Sequence, residues 1–236
     1  MLRFLACLCA ATAALPSMAL AQDRDTPRFD PNRATAWSFE LGGGTDNRSK
    51  GASKSGNAAF GFAEVQYNAG GGFYADAEFE TIDSSGSRVE AEIEAGWQFS
   101  GSGFEFDASI SQKWRVDADP GQDDDAVEFQ FDIVRDIGQG DARLRIEHSP
   151  DGLGRTLAWT WVEARMRWPL ADRLQAAVTV GRREQDNAPD YTGWNAGLVY
   201  DLTETVELEL GWHGTDIAEQ GDQFERALVA AVLLSF

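Results

Sequence analysis

The sequence predicts an all-β protein: a transmembrane, antiparallel, up-and-down β-barrel of about twelve strands. Three observations carry that expectation. Apolar and polar residues alternate in short segments through nearly the whole chain, and a period of two gives a closed sheet one greasy face and one wet face. No segment after residue 21 is long and apolar enough for a membrane helix. The chain ends on the apolar strand Leu228-Val229-Ala230-Ala231-Val232-Leu233-Leu234-Ser235-Phe236, with an aromatic as its final residue.

The expected organisation is a signal peptide at 1–21, a flexible periplasmic leader at 22–33 and a barrel at 34–236. Met1-Leu2-Arg3 and the apolar run from Phe4 to Leu15 have the form of a secretory n-region and h-region. Ala19-Leu20-Ala21 supplies a small-x-small cleavage pattern that makes Gln22 the first mature residue. As a membrane helix the run is too short, and Pro16 breaks it. Residues 22–33 are polar and hold two prolines. Both cysteines, Cys7 and Cys9, fall within the signal, so the mature chain has no thiol, which suits an oxidising periplasm.

The formal net charge is −19, and removing Arg3, the only charge in 1–21, takes it to −20. That balance argues against nucleic acid or an anionic membrane surface as partner. It does not separate a barrel from a soluble acidic protein. The position of the charges along each strand does.

The strands are expected near 35–43, 58–68, 72–82, 88–99, 103–116, 126–137, 141–148, 156–168, 172–183, 191–201, 205–214 and 225–236, roughly the length a tilted membrane strand needs. In the first, Trp37, Phe39 and Leu41 oppose Ser38 and Glu40. Residues 58–68 are untidy and change phase around Glu64. Phe73, Ala75, Ala77 and Phe79 oppose Tyr74, Asp76, Glu78 and Glu80, and Val89, Ala91, Ile93, Ala95, Trp97 and Phe99 oppose Glu90, Glu92, Glu94, Gly96 and Gln98. Phe104, Phe106, Ala108 and Ile110 oppose Glu105, Asp107, Ser109 and Ser111, with Lys113 and Arg115 continuing the polar row. Val127, Phe129, Phe131 and Ile133 oppose Glu128, Gln130 and Asp132. Leu144 and Ile146 oppose Arg143, Arg145 and Glu147. The pattern recurs in Leu174, Ala176, Val178, Val180, in Trp194, Ala196, Leu198, Tyr200, and in Val206, Leu208, Leu210, Trp212. The last strand is apolar on both faces, so its parity rests on Phe236.

A glutamate at every second position is tolerable only where that face meets water or charged partners. The apolar face carries Phe73, Trp97, Phe99, Trp114, Trp168, Trp194 and Trp212, which suit the aromatic girdles flanking a lipid band. Connectors alternate in kind. Short turns fall at 68–71, 100–102, 138–140, 170–172 and 201–204, and longer polar loops at 44–57, 83–87, 117–125, 149–155, 184–190 and 215–224. An even strand count then leaves both termini on the short-turn, periplasmic side.

Candidate sites are few. Asp117, Asp119, Asp123, Asp124 and Asp125 crowd one loop around Pro120-Gly121. They have the oxygen chemistry for a hard cation but no calcium-loop spacing, and they read as a solvated acidic loop. His148 and His213 are the only histidines. Ser149 follows His148 directly, and neighbours on a strand point to opposite faces, so the pair is badly placed for nucleophilic catalysis. No catalytic residue, metal motif, phosphate loop or cofactor fingerprint is present. The candidate pore-lining residues are the inward Glu78, Glu92, Glu94 and Asp107, faced by Arg143, Arg145, Arg165 and Arg167. Opposed walls of that kind would set a transverse field across a water-filled pore, or would pair across the lumen and plug it.

The stretches Ala63-Glu64-Val65-Gln66-Tyr67, Gly72-Phe73-Tyr74-Ala75-Asp76-Ala77, Trp168-Pro169-Leu170-Ala171-Asp172-Arg173-Leu174 and Tyr191-Thr192-Gly193-Trp194-Asn195-Ala196-Gly197 are spread over most of 35–236. In them the chain resembles the TorF-family porins of proteobacteria. Asp46-Asn47-Arg48-Ser49-Lys50-Gly51 stands where that family has a Tyr/Phe-Arg-Gly stretch. The resemblance implies a non-enzymatic porin in the outer membrane of a Gram-negative bacterium, exported through the periplasm and passing small polar solutes; the inward acids outnumber the inward arginines, which adds the expectation of a weak cation preference. It implies outer-membrane lipid, lipopolysaccharide and the barrel-assembly machinery as partners, with Phe236 as the assembly signal. A closed structural or adhesive barrel, and then an outer-membrane hydrolase, are the alternative readings.

Overall fold

A computed structural model describes residues 36–236. The expected signal peptide at 1–21, with both cysteines, and the leader at 22–33 lie outside the described residues. Twelve antiparallel strands close into one barrel: β1 (Ala36–Gly44), β4 (Phe60–Gly70), β5 (Phe73–Ser84), β6 (Ser87–Gly101), β7 (Phe104–Val116), β8 (Asp125–Ile137), β9 (Gly140–Gly152), β10 (Leu157–Ala171), β11 (Leu174–Gln185), β12 (Tyr191–Asp201), β13 (Val206–Thr215) and β14 (Ala227–Ser235). A two-stranded ladder, β2 (Arg48–Ser49) and β3 (Ala52–Ser53), sits in the first long connection. Two 3-10 turns, Ala218–Gln220 and Asp222–Phe224, occupy the last one.

Each barrel strand pairs with its chain neighbours, and β14 returns to β1 with Ser235 opposite Glu40 and Ala231 opposite Gly44. Phe236 completes this seam. Its N–H donates to the Phe39 carbonyl at 3.0 Å, and the Phe39 N–H donates to the Phe236 carbonyl at 3.2 Å.

Side-chain parity follows the alternation. Ile93, Phe129 and Phe131 are exposed on the outer face with Val178, Leu210 and Leu228, which leaves a broad apolar surface facing away from the barrel. Near the short turns that surface carries an aromatic row: Phe73 stacks on Trp97 at 5.8 Å between centroids, Trp97 on Phe99 at 4.6 Å and Phe99 on Phe106 at 4.9 Å. Offset aromatic stacks of this spacing are favourable, and their amphipathic rings suit the boundary between hydrocarbon and water.

Two expectations need correction. Residues 58–68 do not change phase: Phe60, Phe62, Glu64, Gln66 and Asn68 all project inward from β4. The apparent break arises because Phe60 and Phe62 are apolar and internal, packed against Ala231 and Leu233 of β14. Gly42 of β1 makes room for them, since a Cβ there would meet the Phe62 ring at 2.5 Å. The supposed polar loop at 83–87 is a turn of two residues, because β5 and β6 run on to Ser84 and Ser87. Ser85 and Gly86 have φ of 53° and 79°, both positive as a tight hairpin turn with the twist of its strands requires.

Candidate functional site

The interior of the barrel is the candidate site, and alternation places every candidate pore-lining residue in it. Register then decides which charges meet. Glu40 of β1 lies opposite Glu64 of β4, Glu64 opposite Glu78 of β5, and Glu78 opposite Glu92 of β6. One row of carboxylates thus crosses four strands. A second row beneath it sets Asp76 opposite Glu94. Like charges directly opposed across a ladder are destabilising, so such rows call for water, cations or protons between them.

The acidic row ends at β7. Lys113 lies opposite Glu92, with its Nζ 3.3 Å from Glu92 and 2.9 Å from Glu128. Asp107 is buried lower on β7 and accepts from the Tyr74 hydroxyl at 3.0 Å and from Gln98 Nε2 at 2.9 Å. The same hydroxyl lies 2.9 Å from Glu94, so the two acids share the single proton of one phenol.

Arg143, Arg145, Arg165 and Arg167 are buried on the inner face, but the wall they occupy is not a bare basic wall. Arg145 donates two hydrogen bonds to Asp132 at 2.8 and 2.7 Å, in the planar fork geometry that suits a carboxylate. Arg143 Nη2 donates to Glu163 at 2.6 Å. Arg167 lies 3.1 Å from Asp141, and Arg165 lies 3.9 Å from the same residue. These partners stand on β8, β9 and β10, alongside the arginines. These pairs run along the wall, between neighbouring strands.

The long-loop end of the interior holds what the alternation did not reveal. Trp159 and Trp161 of β10 point inward and pack with Tyr191 of β12 and Ile217, against which Phe224 lies. The guanidinium of Arg183 sits 4.4 Å above the Trp159 ring, within cation–π range. Residues 45–59 fold in beside this cluster. Asp46, Asn47, Arg48 and Ser55 are buried, with Arg48 1% exposed. Arg48 Nε donates to Asp46 at 2.5 Å, and its two Nη atoms donate to the carbonyls of Gly51 and Glu225 and to Asn57 Oδ1.

Lys54 reaches Glu80 and also Glu90, at 2.8 Å, while Lys50 pairs with Glu147. Burial opposes the charge on Lys54, but Glu80 and Glu90 beside it outweigh that and hold its ammonium above the usual lysine range.

His148 lies on the outer face with its Nδ1 3.0 Å from Thr160 Oγ1, whereas Ser149 is internal and donates to the Val127 carbonyl at 2.8 Å. The two cannot act as a dyad. In the 117–125 loop, the Asp119 N–H donates to the Ser85 carbonyl, and Asp123 exchanges backbone hydrogen bonds with Gly154. Among the described residues no three His, Cys, Asp or Glu side chains are grouped to hold a metal ion.

A closed twelve-stranded barrel, apolar outside and charged within, defines a class of membrane-spanning barrels. The chain belongs to the family described as "Bacterial protein of unknown function (Gcw_chp)", whose model matches residues 31–232. No curated protein matches it. Among solved structures it is similar to the KdgM porin (TM-score 0.59, 9% identity, covering 84% of this chain and 99% of that one). It is similar to the NanC porin (TM-score 0.58, 11% identity, 84% and 98%) and to an outer membrane channel from Pseudomonas putida F1 (TM-score 0.57, 9% identity, 86% and 96%). KdgM is also known in complex with disordered oligogalacturonate. At these identities the shared property is the fold.

Proposed function

We propose that this chain is an outer-membrane channel for the passive diffusion of small polar solutes, as the resemblance to TorF-family porins implies, and that its inward charges make it weakly selective for cations. The observation that carries the reading is the carboxylate row Glu40–Glu64–Glu78–Glu92, set inside a barrel whose arginines are matched by Asp132, Asp141 and Glu163 beside them. Matched arginines contribute little net field, whereas adjacent carboxylates raise the local concentration of cations. The same row disfavours an acidic saccharide of the kind found with KdgM. Lipid and lipopolysaccharide would meet the apolar outer face, and the barrel-assembly machinery would deliver the chain from the periplasm.

The test is ion selectivity in planar bilayers. The double variant Glu92→Gln/Glu94→Gln should shift the reversal potential toward anions at unchanged expression. Conductance with unaltered selectivity would take these residues off the conducting path. A wild type that never conducts would favour a closed structural barrel.

A further inference from the structure

We propose that residues 45–59 form an internal constriction of the channel, latched to opposite walls of the barrel by Lys54 on one side and by the Lys50-Gly51 tip on the other. The inference deepens the channel reading and rests on it.

The geometry spans the lumen. β6 and β12 are separated by five strands in either direction around the closed order, so they face each other across the barrel. Lys54 is held by Glu80 of β5 and Glu90 of β6, and Asn47 Nδ2 adds a hydrogen bond to Glu80 at 2.7 Å. The Asp83 N–H donates to the Lys54 carbonyl at 2.7 Å, fixing the loop backbone to the same wall. From there the β2–β3 ladder runs to a two-residue turn, Lys50 and Gly51, with φ of 56° and 84°. Both values are positive, as a tight hairpin needs.

That tip meets β12 and β13 backbone to backbone. A Cβ built on Gly193 would stand 2.1 Å from the Lys50 carbonyl oxygen, and one on Gly51 would stand 2.6 Å from the Gly214 carbonyl oxygen. Such an approach requires the absence of side chains on both partners, and it is independent of the ion pairs. Lys50 then extends to Glu147 of β9 with its Nζ 4.9 Å from the centre of the Trp159 ring. The span itself is rigid. Asp46 accepts from Arg48, from Ser53 at 2.6 Å and from Ser55 at 2.9 Å, and Arg48 joins the loop to Glu225 in the last connection. A freely moving loop would leave these polar groups to water. Here they are buried and satisfied within the mouth.

Two variants attack the latch from different sides. Lys50→Gln/Lys54→Gln removes the ion pairs, and Gly193→Val pushes the tip off β12. In single-channel recording each should raise conductance severalfold or add open–closed flicker that wild type lacks. Wild type that is closed beside variants that conduct supports the same conclusion. Unchanged conductance and noise in both variants, with the barrel still resistant to unfolding in detergent, would overturn it. If no form conducts, the channel reading fails, and hydrogen exchange decides the latch alone. Protection of the amides at 46–55 that is lost in the variants supports it, and identical exchange in all three overturns it.

Discussion

At the scale of single residues, the interior is built from charges that are tolerable only together. Asp132 is 3% exposed and receives both hydrogen bonds of the Arg145 fork, with Arg143 3.9 Å away. Asp132→Ala should cost about 3–5 kcal/mol, because the buried Arg145 would lose both hydrogen bonds of its fork and be left with the more distant Glu147, 3.7 Å away. A denaturant titration in detergent would measure this, and a loss below about 1 kcal/mol would mean that water reaches the guanidinium freely. On the outer face the argument reverses. Phe129 is 47% exposed to the surroundings of the barrel. Phe129→Arg should therefore cost about 2–4 kcal/mol in a bilayer if the residue lies near the midplane, and almost nothing if that surface met water. Refolding into vesicles distinguishes the two.

At the scale of elements, β14 has a demanding task. It lines the interior with Val229, Ala231 and Leu233, presents Leu228 and Val232 outward, and ends in the Phe39–Phe236 hydrogen-bonded pair. Deleting Phe236 removes that pair and the aromatic that the assembly machinery is expected to read. The truncated protein should accumulate unfolded in the periplasm, and normal surface exposure in cells would show that the terminal residue is dispensable. Strand parity was legible in the sequence because Val89 to Phe99 alternates without a fault, and a buried face fixes the phase of everything paired with it. Register was not. The alternation shows that Glu64, Glu78 and Glu92 share a face, but only the pairing of β4, β5 and β6 sets them side by side. The inward Trp159 and Trp161 escaped notice because aromatic residues on a barrel strand suit the girdle as readily as the interior. The fold of 45–59 into the mouth depends on contacts with β6, β9 and β12, far away in sequence, and no local pattern announces those.

At the scale of the whole molecule, charge is unevenly distributed around the barrel. Carboxylates dominate from β1 to β6, and matched ion pairs dominate from β8 to β10. If this asymmetry sets the selectivity, cation preference should weaken steadily as salt is raised, because the Debye length falls from about 10 Å at 0.1 M to about 3 Å at 1 M. Reversal potentials measured at a fixed salt ratio across that range would show it. A preference independent of ionic strength would point instead to close contact at a narrow point.

The seam between β1 and β14 also governs how such a molecule is made. Every other junction in the barrel joins strands that follow one another along the chain, and each can form as soon as its hairpin exists. The seam joins the two ends of the described chain, so it waits for the last strand to arrive. Until then the protein is a sheet with two bare edges, rows of unpaired backbone groups open to any passing strand. The outer face is greasy throughout that interval. An unfinished chain is therefore most exposed to misassociation just before it is complete, and whatever escorts it must hold both edges apart from strangers and then bring them to each other.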